Sequence, residues 1–232
     1  MKKENTLPTL IASIILAATW VGAFLLLFSP LRLGKIFAWI FLGGKGLTIL
    51  MTLVSLATHP STGWRLFVGR YLFDQQHLTH GIEQALLRFV WELPQLLLGY
   101  CYAQLRNITG HIKRVEYLGG ATYAIDDGRG DWCYKGISLS CFINIWLTNT
   151  VNTDFEYAVR HSFGQILMHE YGHTKDSLRL GWLYLFIVGL PSLISAYLQG
   201  IRGHRHKDLY AEKWANRHAQ RYFGEKIHDL EA

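Results

Sequence analysis

Charge is scarce in this chain. Only 17% of its 232 residues are Asp, Glu, Lys or Arg, against about a quarter in an ordinary soluble domain. Hydrophobic residues make up 50%, with 8 Trp and 12 Tyr, the composition of a membrane-associated protein with a polar part. The formal net charge of +6 is small. No basic run is interleaved with stacking aromatics, which argues against a nucleic-acid partner. The basic excess suits anionic lipid headgroups better. Cysteine is also rare: Cys101, Cys133 and Cys141 have no zinc-ligand spacing, and an odd count argues against a complete disulfide framework. Cys133 and Cys141 could pair, but buried free thiols are the simpler expectation.

Long apolar runs are abundant. Pro8 to Phe28 carries no charge, enough to cross a bilayer. It is longer than an ordinary signal-peptide core and has no clean cleavage site after it, which favours a retained anchor over a signal peptide. Residues 36–57 are also apolar, interrupted by Gly43-Gly44-Lys45-Gly46. They predict either two interfacial halves or a second span, and the span is preferred. Residues 59–83 read as a polar loop, with His77 and His80 on the surface. Residues 84–105 return to apolar character, where Arg88 and Glu92, four apart, could pair along a helix that Pro94 should kink or break.

Beyond Asn107 the periodicity changes. Val115–Tyr117 and Ala121–Ile125 flank Gly119-Gly120, a hairpin pattern. Residues 126–131 form a turn that lacks the ligand spacing of a calcium loop. Ile137, Leu139, Cys141, Ile143 and Ile145 alternate with polar residues, predicting one half-buried strand. A small antiparallel sheet is therefore expected. Thr153 to Glu156 is a capping box that opens a helix whose face runs through Phe155, Val159, Ser162, Phe163 and Ile166.

That face continues into His169-Glu170-Tyr171-Gly172-His173. Histidines four apart on a helix lie one above the other, so both can grip one zinc ion, and Glu170 can reach a water on that metal. A third ligand is required. On a second helix Glu212, Ala215, Asn216, Ala219 and Phe223 share one stripe, and the alanines beside Glu212 permit close approach of another helix. Glu212 is the preferred third ligand for a single Zn2+. His204 and His206 are its rivals.

His-Glu-x-Gly-His followed by Glu-x-x-Ala-Asn resembles the gluzincin metallopeptidases, most nearly the membrane-integrated group of the CAAX prenyl endopeptidase and the heat-shock membrane protease. The likeness covers about residues 137–223. It implies zinc on His169, His173 and Glu212, with Glu170 as the base. It also implies an acidic residue where this chain has Asn216. An amide accepts a hydrogen bond from an imidazole but cannot supply the carboxylate charge that raises ligand basicity.

The expected fold is α+β and mainly helical. Residues 1–105 would form a membrane-embedded helical region and residues 106–232 a zincin-like metallopeptidase domain. Leu180 to Leu198 is free of charge. One straight crossing there would put Glu212 about 30 Å from His173, so the segment must fold back, with Gly189, Pro191 and Gly200 as candidate breaks. Two arms of about nine residues would each reach about 13 Å.

The expected function is a membrane-bound zinc endopeptidase acting on membrane-associated peptide or protein. The alternative is a structural or vestigial zinc site that binds a partner. His204, His206, Tyr210 and Arg217 are candidate oxyanion donors, and the strand ending near Trp146 could pair with an extended substrate. The expected location is a membrane crossed more than once, a bacterial inner membrane being the guess. The basic stretch 201–226 leans cytoplasmic, while Arg32 and Lys35 pull against that assignment.

Overall fold

The computed structural model describes residues 6–126, 136–146, 155, 164–202 and 205–224. Cys133, His204 and the capping box at 153–156, apart from Phe155, lie outside them. The chain is mostly helical with a small mixed sheet.

Two long helices open it, α1 (Leu7–Leu27) and α2 (Arg32–Thr58), both long and apolar enough to cross a membrane. The glycines at 43–46 do not break α2. Gly44 instead lets the helix meet α5 (Leu93–Ile108), since a Cβ there would lie 2.8 Å from Leu97 Cδ1. The region read as a loop holds two short helices, α3 (Pro60–Gly69) and α4 (Leu78–Leu87). Pro60 starts α3 in the first turn, where a missing N–H costs nothing.

His77 is exposed beside Asp74, but His80 is buried, correcting the surface assignment. Of the two outcomes expected at Pro94 the break is found: the chain leaves the helix over 88–92 and Pro94 lies in the first turn of α5. Arg88 and Glu92 therefore part company. The Arg88 guanidinium donates to the carbonyls of Leu72 and Gly120, and Glu92 accepts from Ser177 Oγ at 2.6 Å.

The sheet comprises β1 (Ile112–Leu118), β2 (Ala121–Asp126), β3 (Gly136–Leu139) and β4 (Phe142–Trp146), in the order β1-β2-β4-β3. The β1–β2 hairpin turns at Gly119-Gly120 as expected. The expectation of a wholly antiparallel sheet fails, because β4 pairs parallel to β2. The single strand read over 137–145 is itself a hairpin, turned at Ser140-Cys141 with Ser140 at a φ of 53°. Paired residues share a face, so Ile137 lies beside Asn144, and Ser138 beside Ile143. The apolar alternation thus switches faces at the turn. β4 becomes an interior strand. Its edge is closed to an added strand, and among the described residues β3 is the border strand of that side.

Both faces of the sheet are covered. One packs Phe142, Ala124 and Val115 against Leu66, Phe89, Leu96 and Tyr100 of the preceding helices and their connections. The other packs Tyr123, Ile125, Ile143 and Ile145 against Leu167, Met168 and Tyr171 of α6 (Gly164–Leu180). Phe155 joins this second core, edge-on to Tyr123.

After α6 the chain folds back, as the metal reading requires. The break differs from the expected one. A 3-10 turn at Gly181–Leu183 and a π-helical turn at Leu185–Gly189 precede α7 (Leu190–Arg202), and the path bends by 116° between Leu183 and Leu185. Gly181 has a φ of 53°, and a Cβ there would strike the Trp91 ring, so glycine is needed at this corner. Helix α8 (Tyr210–Phe223) then returns along α6 and ends at Gly224 in the left-handed conformation.

Candidate metal centre

Helix α6 places the His169 and His173 rings one turn apart, with centroids 4.9 Å from each other. Apolar neighbours Leu167, Met168 and Tyr171 anchor the opposite side of the helix in the core. Helix α8 presents fully buried Ala211, Ala215 and Ala219. It approaches so closely that a Cβ on Gly172 would lie 2.0 Å from the Ala215 carbonyl oxygen. The glycine inside the His-Glu-x-Gly-His motif is thus what lets α8 reach the histidines.

That approach delivers Glu212. Its Oε2 lies 3.0 Å from His169 Nε2 and 3.4 Å from His173 Nε2. One donor atom from each of the three residues falls within 4.8 Å of the others, so the group could hold a metal ion. Two ligands about 2.1 Å from one tetrahedral ion stand about 3.4 Å apart, which these separations match. Two imidazoles and a carboxylate are also the donor set of a site that keeps a fourth position open.

Each histidine is oriented from behind. His169 Nδ1–H donates to Asn216 Oδ1 at 2.7 Å. His173 Nδ1 lies 3.5 Å from Asp176 Oδ2, and Asp176 Oδ1 lies 2.6 Å from His218 Nδ1. Both rings turn Nε2 toward Glu212, His169 held there by its hydrogen bond to Asn216 and His173 with Asp176 at ion-pair distance behind it. The second Glu212 oxygen accepts from Ser192 Oγ of α7 at 2.7 Å and stands 3.5 Å from His206 Nε2.

Electrostatics follow from this crowding. Burial pushes the Glu212 carboxyl up, but hydrogen bonds from His169 and His173 outweigh it and hold the group well below the usual carboxylate range. Burial pushes His173 down, while Asp176 and Glu212 overcome that and raise it well above an ordinary imidazole. Asp176 is held low despite burial, by His173 and His218.

Glu170 is buried and faces β3. Ser138 Oγ is 2.6 Å from its Oε2 and 3.0 Å from its main-chain oxygen. Gly136 leaves room for the carboxylate, since a Cβ there would lie 2.3 Å from Glu170 Oε1.

Of the candidate oxyanion donors, His206 alone is placed beside the centre among the described residues. The Tyr210 hydroxyl donates to the Ile187 carbonyl, and Arg217 is exposed. Sequence reasoning missed Asp176, His218, Ser138 and Ser192. Asp176 was within reach, three residues past His173 on the same helix. The others come from separate elements and carry no spacing signal.

No protein-family model, curated protein or solved structure matches this chain.

Proposed function

We propose that this chain is a membrane-bound zinc endopeptidase, with zinc on His169, His173 and Glu212 and Glu170 as general base. The observation that carries the proposal is the convergence of these three donors from two helices, with a buried carboxylate one residue along from the first histidine and held by Ser138. When bound, zinc supplies Lewis-acid polarisation of a carbonyl and a water of lowered pKa.

The chain's own groups do the rest. Glu170 takes a proton from the attacking water and returns it to the leaving amine. Ser138 holds Oε2 of Glu170, so the carboxylate keeps one aim. His206, whose Nε2 stands 3.5 Å from Glu212 Oε1, is the proposed donor to a developing oxyanion. An extended peptide would add at β3, the border strand beside α6. There it must displace the Tyr184 hydroxyl, which donates to the Ser138 carbonyl at 2.9 Å. Helices α1 and α2, long and apolar enough to cross a membrane, support membrane-associated peptide or protein as the substrate class.

A second reading is favoured by one residue. Asn216 holds His169 without a carboxylate charge, as suits a zinc site that binds a partner and cleaves nothing. The Glu170→Gln variant tests the choice. With turnover followed on an unfolded membrane protein, the enzyme reading expects the wild type to cleave and the variant to keep its zinc but lose cleavage. Equal cleavage by both would overturn it, and no cleavage by zinc-loaded wild type would favour the partner-binding reading.

A further inference from the structure

The two histidines are supported unequally. His169 leans on a neutral amide, Asn216, at 2.7 Å. His173 Nδ1 stands 3.5 Å from Asp176 Oδ2, an ion-pair distance without a hydrogen bond in the metal-free fold, and the almost wholly buried Asp176 carboxylate also meets His218 from α8 at 2.6 Å. Arg179 in turn contacts His218 Nε2. A carboxylate taken so far from water is costly unless paired, and here it lies between two imidazoles from the two helices that build the centre. We infer that Asp176 is the positioning residue for the metal, supplying through His173 the carboxylate charge that Asn216 does not supply through His169.

The inference rests on the zinc reading above. A carboxylate behind a ligand imidazole fixes its tautomer and raises its basicity, and losing such a partner weakens metal binding about tenfold to a hundredfold. The carboxylate charge thus stands on α6, behind the second histidine, and an amide on α8 stands behind the first. His218 keeps Asp176 in place, so the support of the centre spans both helices.

The test is zinc affinity, measured by chelator competition on the full-length protein in detergent, for wild type, Asp176→Asn, Asn216→Asp and the double variant. Asp176→Asn keeps the shape and removes the charge. It should bind zinc at least tenfold more weakly, with the melting temperature of the metal-free protein little changed. Asn216→Asp alone should bind more tightly, and the double variant should recover most of the loss, which a merely structural role for Asp176 would not produce.

Unchanged affinity in Asp176→Asn, or a loss the double variant does not recover, overturns the inference while leaving the zinc site standing. If Asp176→Asn fails to fold, unchanged affinity in Asn216→Asp overturns it equally. A wild type that binds no zinc overturns both the inference and the function proposed above.

Discussion

Ser138 touches Glu170 twice, once at the side chain and once at the main chain, although 32 residues separate them. A general base that can swing loses alignment with the water it must deprotonate. Ser138→Ala should therefore lower turnover by about tenfold while zinc content stays at the wild-type level. Lost zinc would instead make Ser138 a structural prop. The shifted acidities at the centre give a second expectation. His173 is raised in the metal-free fold, so its stabilising contribution is complete below the unfolded value of 6.5 and fades as pH climbs through the higher folded value. Glu212 is lowered, so its contribution holds above 4.5 and fades as acid is added. Zinc competes with protons for a histidine whose proton affinity is raised in the metal-free fold. Calorimetric titration in buffers of different ionisation enthalpy should show heats that vary with the buffer. Buffer-independent heats would contradict that competition.

At the scale of elements, Ser140 is the residue to change. It turns the β3–β4 hairpin with a φ of 53°, a conformation that costs a residue bearing a side chain about 1–2 kcal/mol. Ser140→Gly should raise stability by about 1 kcal/mol in denaturant unfolding, and a lower midpoint would show that the serine side chain matters more than the strain. The same turn shows why the sheet was only partly legible. Gly119-Gly120 announces the first hairpin, whereas Ser140-Cys141 carries no glycine, asparagine or aspartate to announce the second. Alternation alone cannot show a strand switching faces at a two-residue turn, nor can it show β4 lying parallel to β2. The two long apolar helices and the paired metal motifs were legible because each rests on one local periodicity. The fold-back after α6 was legible as a necessity, set by Glu212 having to meet His173. Its position was not, because the corner depends on Gly181 meeting Trp91, a contact between distant parts of the chain.

On the whole molecule, exposed apolar side chains among the described residues include two groups. One is the surface of α1 and α2, where only 11% and 28% of the apolar windows are buried. The other is the arm after the bend, where Phe186, Leu190, Leu193 and Tyr197 are exposed while Ser192 on the same arm touches Glu212. Surfaces this apolar are at home in lipid rather than water, and the second would set the metal centre close to the bilayer surface. The protein should stay in the membrane pellet through alkaline carbonate washing and leave it only with detergent. Release by carbonate alone would contradict spanning by α1 and α2.

Two motifs far apart in sequence are proposed to build one zinc site. The most direct measurement is zinc per chain in detergent-purified wild type, His173→Ala and Glu212→Ala. About one zinc in the wild type and little in either variant is the predicted result. Zinc retained by Glu212→Ala would hand the third position to His206 or His204 and contradict the assignment. A wild type that holds no zinc after reloading would contradict the site altogether.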